Sequence, residues 1–460
     1  MGASECGYIR ASSHAWFEMS IEKLRAAPRW VVPVVLAVPY VVAIAALRGL
    51  TVALNIFHGS DERVHHYPTI LRFAHQLPFP DLGYYHAAQT PLFHLVMAYI
   101  GKVIGYQPWR LRLVEAVISY LATLVVYVLL RRRLGLERVT SLALGLLFAL
   151  SPYMYGSSFR LETDNLATLF VLVALERFER FRQTDRFGPF LVGCASVGAA
   201  MLTRQSTAFM IGVAGLYALR SRLPARGWHA LRDRALMLGA VGLSAIPVGA
   251  LFVVWHGLVP PGGDTSSCGL CPSTSSPGQT SQGHLVVQTT ELALATIGFY
   301  GAVLFAPALV KGIQARGRRI LGESWGPLVG AAAGALLLLL EPARSGLHDA
   351  GDIWRVASHF PSPLGSSLVF WALVPISGAV LWARIRVCIP PRRWLVFVFG
   401  ACFLASTLVI RYPWQKYVDP FALLTLLLTV RPDELVRPRD LAGAGVLAIA
   451  FVAYTLSFVL

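Results

Sequence analysis

An adjacent carboxylate pair, Asp61-Glu62, is followed three residues on by His65-His66. A second acidic set, Glu162-Thr163-Asp164, lies about a hundred residues further on. Single cations stand apart from both at Arg204, Arg411 and Lys416. Carboxylates are the usual general bases toward a hydroxyl group. Arginine and lysine stabilise negative charge that develops on a departing phosphate when water is excluded. The residue types therefore suit activation of a hydroxyl beside an anionic leaving group. Each also has a plainer reading. Asp61-Glu62 would serve as a solvated pair or as an N-cap for a helix starting near Val64, and Glu162/Asp164 as a polar turn. Adjacent histidines seldom face one point, so His65 and His66 suit substrate orientation or plain exposure better than a metal. Arg204 could equally snorkel to lipid headgroups.

No dinucleotide fingerprint, phosphate-binding P-loop, nucleophile elbow or HExxH pair occurs. A soluble-type nucleotide site is not supported. Cys268 and Cys271 form a lone CxxC, for which a local disulfide or two free thiols fits better than zinc.

The elements that must carry these groups are membrane spans. The 460 residues are 55% hydrophobic and only 14% charged, with a mean hydropathy of +0.59. Soluble domains carry about 25% charged residues. Apolar runs near the roughly 20 residues that cross a bilayer recur at 30–46, 111–130, 235–255, 291–310, 394–410 and 441–460. The predicted fold class is all-α, a polytopic transmembrane bundle of about 13 spans with a long first extracytoplasmic loop. The stretch 90–104 is too short for a span and is expected to lie in the interface or re-enter. Gly326 to Gly334 is a small-xxx-small run that predicts close helix packing.

The net charge of +16 would suit a nucleic-acid binder were it not for its placement. With the N-terminus in the cytoplasm, 28 of the 40 Lys and Arg fall in segments assigned inside. The loop 256–290 has none. That asymmetry reports orientation and contact with membrane lipids, not nucleic acid. The outer segments 58–110, 157–165, 341–365 and 411–420 hold nearly all the candidate chemistry. The Ala-, Arg- and Leu-heavy composition points to a bacterial plasma membrane. The chain divides into a cytoplasmic segment 1–29, a membrane core 30–220 including the loop 58–110, and a C-terminal bundle 221–460 with outer loops 256–290 and 341–365.

The stretch Gly59-Ser-Asp61-Glu62-Arg-Val-His65-His66-Tyr-Pro, then Pro80-Asp81 and Gln89-Thr90-Pro91-Leu92, resembles the first outer loop of GT-C fold glycosyltransferases. Ser151-Pro152 before the Glu162/Asp164 loop and Leu202-Thr203-Arg204-Gln205 fit the same template. The Asp-Glu-x-x-His order and the Arg-Gln pair are similar to the dolichyl-phosphate-glucose alpha-1,2-glucosyltransferases. That family's Asp-Asn-Arg-His-Tyr-type stretch is missing, with Gly351-Asp352-Ile353-Trp354-Arg355 in its approximate place. The resemblance runs in order over residues 30–220, with Arg411-Tyr412 as a later echo.

It implies a hexosyltransferase that takes its sugar from a polyprenyl- or dolichyl-phosphate donor and passes it to an extracytoplasmic or lumenal glycan, lipid or protein acceptor. Asp61 would be the catalytic base with Glu62 its neighbour, and the expected reaction is direct displacement at the anomeric carbon with inversion. Arg204, Lys416 and Arg411 would contact the donor phosphate, and His65, Glu162 and Asp164 would position substrate. In some GT-C enzymes the E-x-D spacing helps hold a divalent metal; no metal is assigned here. A transporter or lipid flippase, and a non-catalytic scaffold, are the rival expectations. Convergence of Asp61, Glu162 or Asp164, and Arg204 on one outer cavity separates the enzyme from both.

Overall fold

The computed structural model describes residues 26–47, 61–220, 228–263, 287–316, 325–340, 351–387, 390–408, 410, 414–435 and 437–456. These form helices and no strand. Helix α1 is Val31–Ala46, and a π turn over Glu62–His66 leads into α2, Tyr67–Gln76. Next come α3 (Leu92–Ile104), α4 (Pro108–Val128), α5 (Arg138–Leu150), α6 (Pro152–Ser157), α7 (Asp164–Thr184), α8 (Phe187–Thr203) and α9 (Phe209–Leu219). The remainder is α10 (Trp228–Trp255), α11 (Val287–Arg316), α12 (Gly326–Leu340), α13 (Asp352–Ala357), α14 (Leu368–Val387), α15 (Pro390–Thr407), α16 (Gln415–Leu427) and α17 (Ala442–Leu456).

Among the described residues five helical stretches are long and apolar enough to cross a bilayer: Pro108–Arg133, Leu231–Trp255, Val287–Ala308, Leu368–Arg386 and Arg439–Leu456. Shorter apolar helices, α1 and α8 among them, fill the spaces between. Their outward faces carry exposed valine and leucine, such as Val41, Val42 and Leu243. Such a surface suits lipid and not water. The protein is an integral membrane helical bundle. The stretch expected to lie in the interface is α3, a 13-residue helix packed on α2, α4 and α8.

Helix α4 begins with proline at its first position, where the missing N–H costs nothing. It packs on α5 and α7, and α7 on α8. Phe178 and Phe190, with ring centres 5.5 Å apart, fill the space between α7 and α8, and Phe148 on α5 is likewise fully buried. The C-terminal helices pack through glycine. A Cβ on Gly330 of α12 would collide with the Gly378 backbone of α14, and one on Gly334 would come within 2.8 Å of the Val374 carbonyl. The small-xxx-small run therefore lets two backbones touch. Helix α11 packs on α14, α16 and α17, while α9 against α15 and α17 against α5 join the two parts of the chain.

Candidate active site

The π turn sets the first carboxylates. The Tyr67 N–H donates to the Glu62 carbonyl five residues back, the wider spacing of a π turn, a geometry common at functional sites. The turn separates two neighbours. Glu62 is buried and receives Arg112 of α4 through Nη2 at 2.5 Å and Nε at 3.1 Å, and the Leu161 N–H at 3.1 Å. Its acceptor sites are occupied, and it ties the first loop to α4 and to the 158–163 turn. Asp61 makes no capping bond to the helix it precedes, so the N-cap reading does not describe it. Its Oδ2 instead accepts from Lys416 Nζ at 3.0 Å, across 355 residues of sequence.

Lys416 sits in the first turn of α16, and its neighbour Tyr417 leads to the second cation. The Arg204 guanidinium lies 4.3 Å from the Tyr417 ring centre, and Lys416 Nζ lies 5.7 Å from it. Arg204 occupies one extended residue between α8 and the short Gln205–Ala208 turn, so the chain breaks there and presents the side chain at the bundle's end. It is ion-paired with Asp164, the first residue of α7. An acidic group at a helix N-terminus is also favoured by the helix dipole. Glu162 takes Arg160 at 3.0 Å and the Ser157 hydroxyl at 2.8 Å.

Asp61, Glu162, Asp164, Arg204 and Lys416 thus form one charged cluster built from four separate segments. Burial pushes the Glu162 carboxyl up, but Arg160 and Lys416 outweigh it and hold the group at about 2. Burial likewise raises Asp61, and the Lys416 charge and hydrogen bond bring it below the usual carboxylate range. His66, buried beside the same groups, is pushed down to about 4 and stays neutral near pH 7. Its Nδ1 lies 3.0 Å from Nε2 of His94, and the two rings stack. His65 is turned elsewhere, with its Nδ1 3.3 Å from the His86 carbonyl. Among the described residues no group of three or more His, Cys, Asp or Glu side chains is arranged to hold a metal. Arg411, with the CxxC pair and most of the loop 256–290, lies outside the described residues.

The sequence motifs are also stitched to each other. Gln205 accepts from the Thr90 N–H and donates to the Ala88 carbonyl at 2.8 Å, while the Thr90 hydroxyl donates to the Met201 carbonyl. The Gln89-Thr90-Pro91 stretch is therefore docked on the turn that carries Arg204. Sequence reasoning passed over Arg112 and Glu115, because an apolar average across 111–130 hides them. Charges inside a span are costly enough to flag on their own. Glu115 is fully buried in α4, and neither carboxylate oxygen has a hydrogen-bond partner among the described residues.

Residues 88–255 match the dolichyl-phosphate-mannose-protein mannosyltransferase family. The match supports a GT-C membrane glycosyltransferase. It spans α3 to α10 and includes Glu162, Asp164 and Arg204. The matched family is a mannosyltransferase family and not the glucosyltransferase one. No curated protein matches the chain. Among solved structures, ArnT from Cupriavidus metallidurans bound to undecaprenyl phosphate aligns at 16% identity over 85% of this chain and 77% of that one, with a TM-score of 0.38. The same protein in the apo state aligns at 16% identity over 85% and 76%, with a TM-score of 0.35.

Proposed function

We propose that the protein is a hexosyltransferase that moves a sugar from a polyprenyl- or dolichyl-phosphate donor to a hydroxyl of an extracytoplasmic or lumenal acceptor. One observation carries the reading: Asp61, a base, and Lys416, a cation able to hold phosphate, meet at 3.0 Å beside the Arg204–Asp164 pair. With Arg160 counted beside Glu162, the three carboxylates meet three cations, so the cluster is neutral without substrate. A lipid-phosphate sugar is a phosphodiester with one negative charge. Its phosphate is suited to lie between Lys416 and Arg204, freeing Asp61 toward the acceptor. The acceptor oxygen then attacks the anomeric carbon as its proton passes to the Asp61 carboxylate. The carbon–oxygen bond to phosphate breaks, and the leaving lipid phosphate keeps the electron pair and gains a second negative charge.

That added charge exists only late in the reaction, so the two cations stabilise the transition state more than the bound donor. A single displacement of this kind inverts the anomeric carbon. Glu62, saturated by Arg112, positions the loop that carries Asp61. We place the site on the extracytoplasmic face of a bacterial plasma membrane, with the N-terminus cytoplasmic. The basic residues gathered at the other end of the spans support that orientation.

The test is incubation of purified protein with a panel of polyprenyl-phosphate sugars and an acceptor mixture. Release of lipid phosphate with one or more donors is the expected result. Transbilayer movement of the lipid without release would instead favour a transporter.

A further inference from the structure

A cavity of about 370 Å³ lies at the opposite end of the bundle, between α11 and α14. Its apolar part is made of small side chains, Gly301, Ala302 and Ala308 on α11 and Ala383 on α14, with Phe305 and Val380 beside them. Gly301 is required there, because a Cβ would come within 2.8 Å of Val380. These residues occupy the last turns of the spans Val287–Ala308 and Leu368–Arg386, so the slot opens where hydrocarbon gives way to headgroups. Its polar rim is Arg384, Arg431, Asp433 and Glu434.

The rim pairs differ in kind. Arg384 is buried, bound to Glu434 and to the Thr429 carbonyl at 2.9 Å, and lies over the Phe305 ring, so it fixes the loop after α16. The Arg431–Asp433 pair is exposed, at 39% and 66%, and exchanges readily with solvent or another anion. Lys311, paired with Asp440, stands one turn beyond Ala308. Arg437 and Arg439 lie near enough to Lys311 to add to the positive field there. A soluble anion finds its buried arginine already neutralised. A lipid gains both from the apolar slot and from the exposed cations.

We propose that this slot binds an anionic phospholipid of the basic-side leaflet, with one acyl chain between α11 and α14 and the phosphate against Arg431 and Lys311. Basic pockets between spans on the cytoplasmic side suit such headgroups. The site lies at the far end of α16, whose 13 residues span about 20 Å and carry Lys416 at the other end. It is independent of the catalytic reading.

The test uses the full chain in phosphatidylcholine nanodiscs doped with a phosphatidylglycerol probe bearing a diazirine on its acyl chain. Adducts concentrated in 301–308 and 380–384 are expected. Ala383→Phe, which fills the slot, should cut them roughly tenfold. Arg431→Glu, at an exposed position, should cut labelling by the phosphatidylglycerol probe more than by a phosphatidylcholine probe. Adducts spread evenly over the lipid-facing helices, unchanged labelling in both variants, or equal labelling by the two probes would overturn the proposal.

Discussion

Two carboxylate clusters stand at the same end of the bundle and are matched differently. In one, Asp61, Glu162 and Asp164 face Lys416, Arg160 and Arg204. In the other, Asp419 accepts from the Tyr300 hydroxyl, and Tyr153 reaches Asp352 at 3.5 Å. Buried Asp419 is matched chiefly by hydroxyls, although Asp352 has Arg355 on its own short helix. A carboxylate held by a cation can be released when an anion takes that cation. A carboxyl held by tyrosine offers no such exchange and serves to fix helices. The second cluster braces α16: Asp419 is one turn from Lys416, and the Ile353 N–H donates to Gln415 at 3.1 Å. Gly351 sits there at φ 144°, and a Cβ on it would strike Gln415. The first cluster is built to meet substrate and the second to hold the first in place.

Substitutions should separate the two. Asp61→Asn, in the cation-matched cluster, should lower lipid-phosphate release by about 10²–10⁴-fold, the contribution of a general base, with melting temperature little changed. Lys416→Gln or Arg204→Gln should each cost about 10²–10³-fold in kcat, as loss of one donor to a developing oxyanion does. Glu62→Gln should act mainly on stability. Breaking a buried pair costs about 3–5 kcal/mol, so thermal unfolding should fall while the residual folded enzyme still turns over. In the hydroxyl-matched cluster, Tyr300→Phe should cost about 1–3 kcal/mol of stability and change kcat little. A kcat loss in Tyr300→Phe as large as in Lys416→Gln would erase the distinction.

Acidity sharpens it further. Asp61 lies below the usual carboxylate range and Glu162 at about 2, so both stay charged across the neutral range. The rate should therefore hold flat from about pH 8 to pH 5 and fall only in more acidic solution. A depressed carboxyl adds stability that is present above its unfolded value and lost as pH drops toward the folded one. For Glu162 that window runs from 4.5 down to about 2. His66 behaves with the same sign, its stabilising neutrality being lost between 6.5 and about 4. Melting temperature should thus begin to decline before the rate does. A rate inflection near pH 6.5 would put an imidazole in control instead of Asp61.

The helices were legible because apolar runs of bilayer length need no tertiary information. Asp61 was visible as a carboxylate after the first span, yet nothing local distinguishes it from Glu62. The π turn and the distant Arg112 divide them, and neither has a short-range signal. Lys416 could be flagged as a cation near a span, but its partner lies 355 residues away. Tyr417 carries no local sign of its cation, because the guanidinium over its ring belongs to Arg204, more than two hundred residues earlier in the chain. Arg112 and Glu115 were masked by the apolarity of the run that contains them.

The most direct measurement is equilibrium binding of polyprenyl phosphate, the leaving group itself, to detergent-purified protein. Wild type and Tyr300→Phe should bind it alike, and the Lys416→Gln/Arg204→Gln double variant should bind at least about a hundredfold more weakly. Equal binding by the double variant would contradict a phosphate site between Lys416 and Arg204.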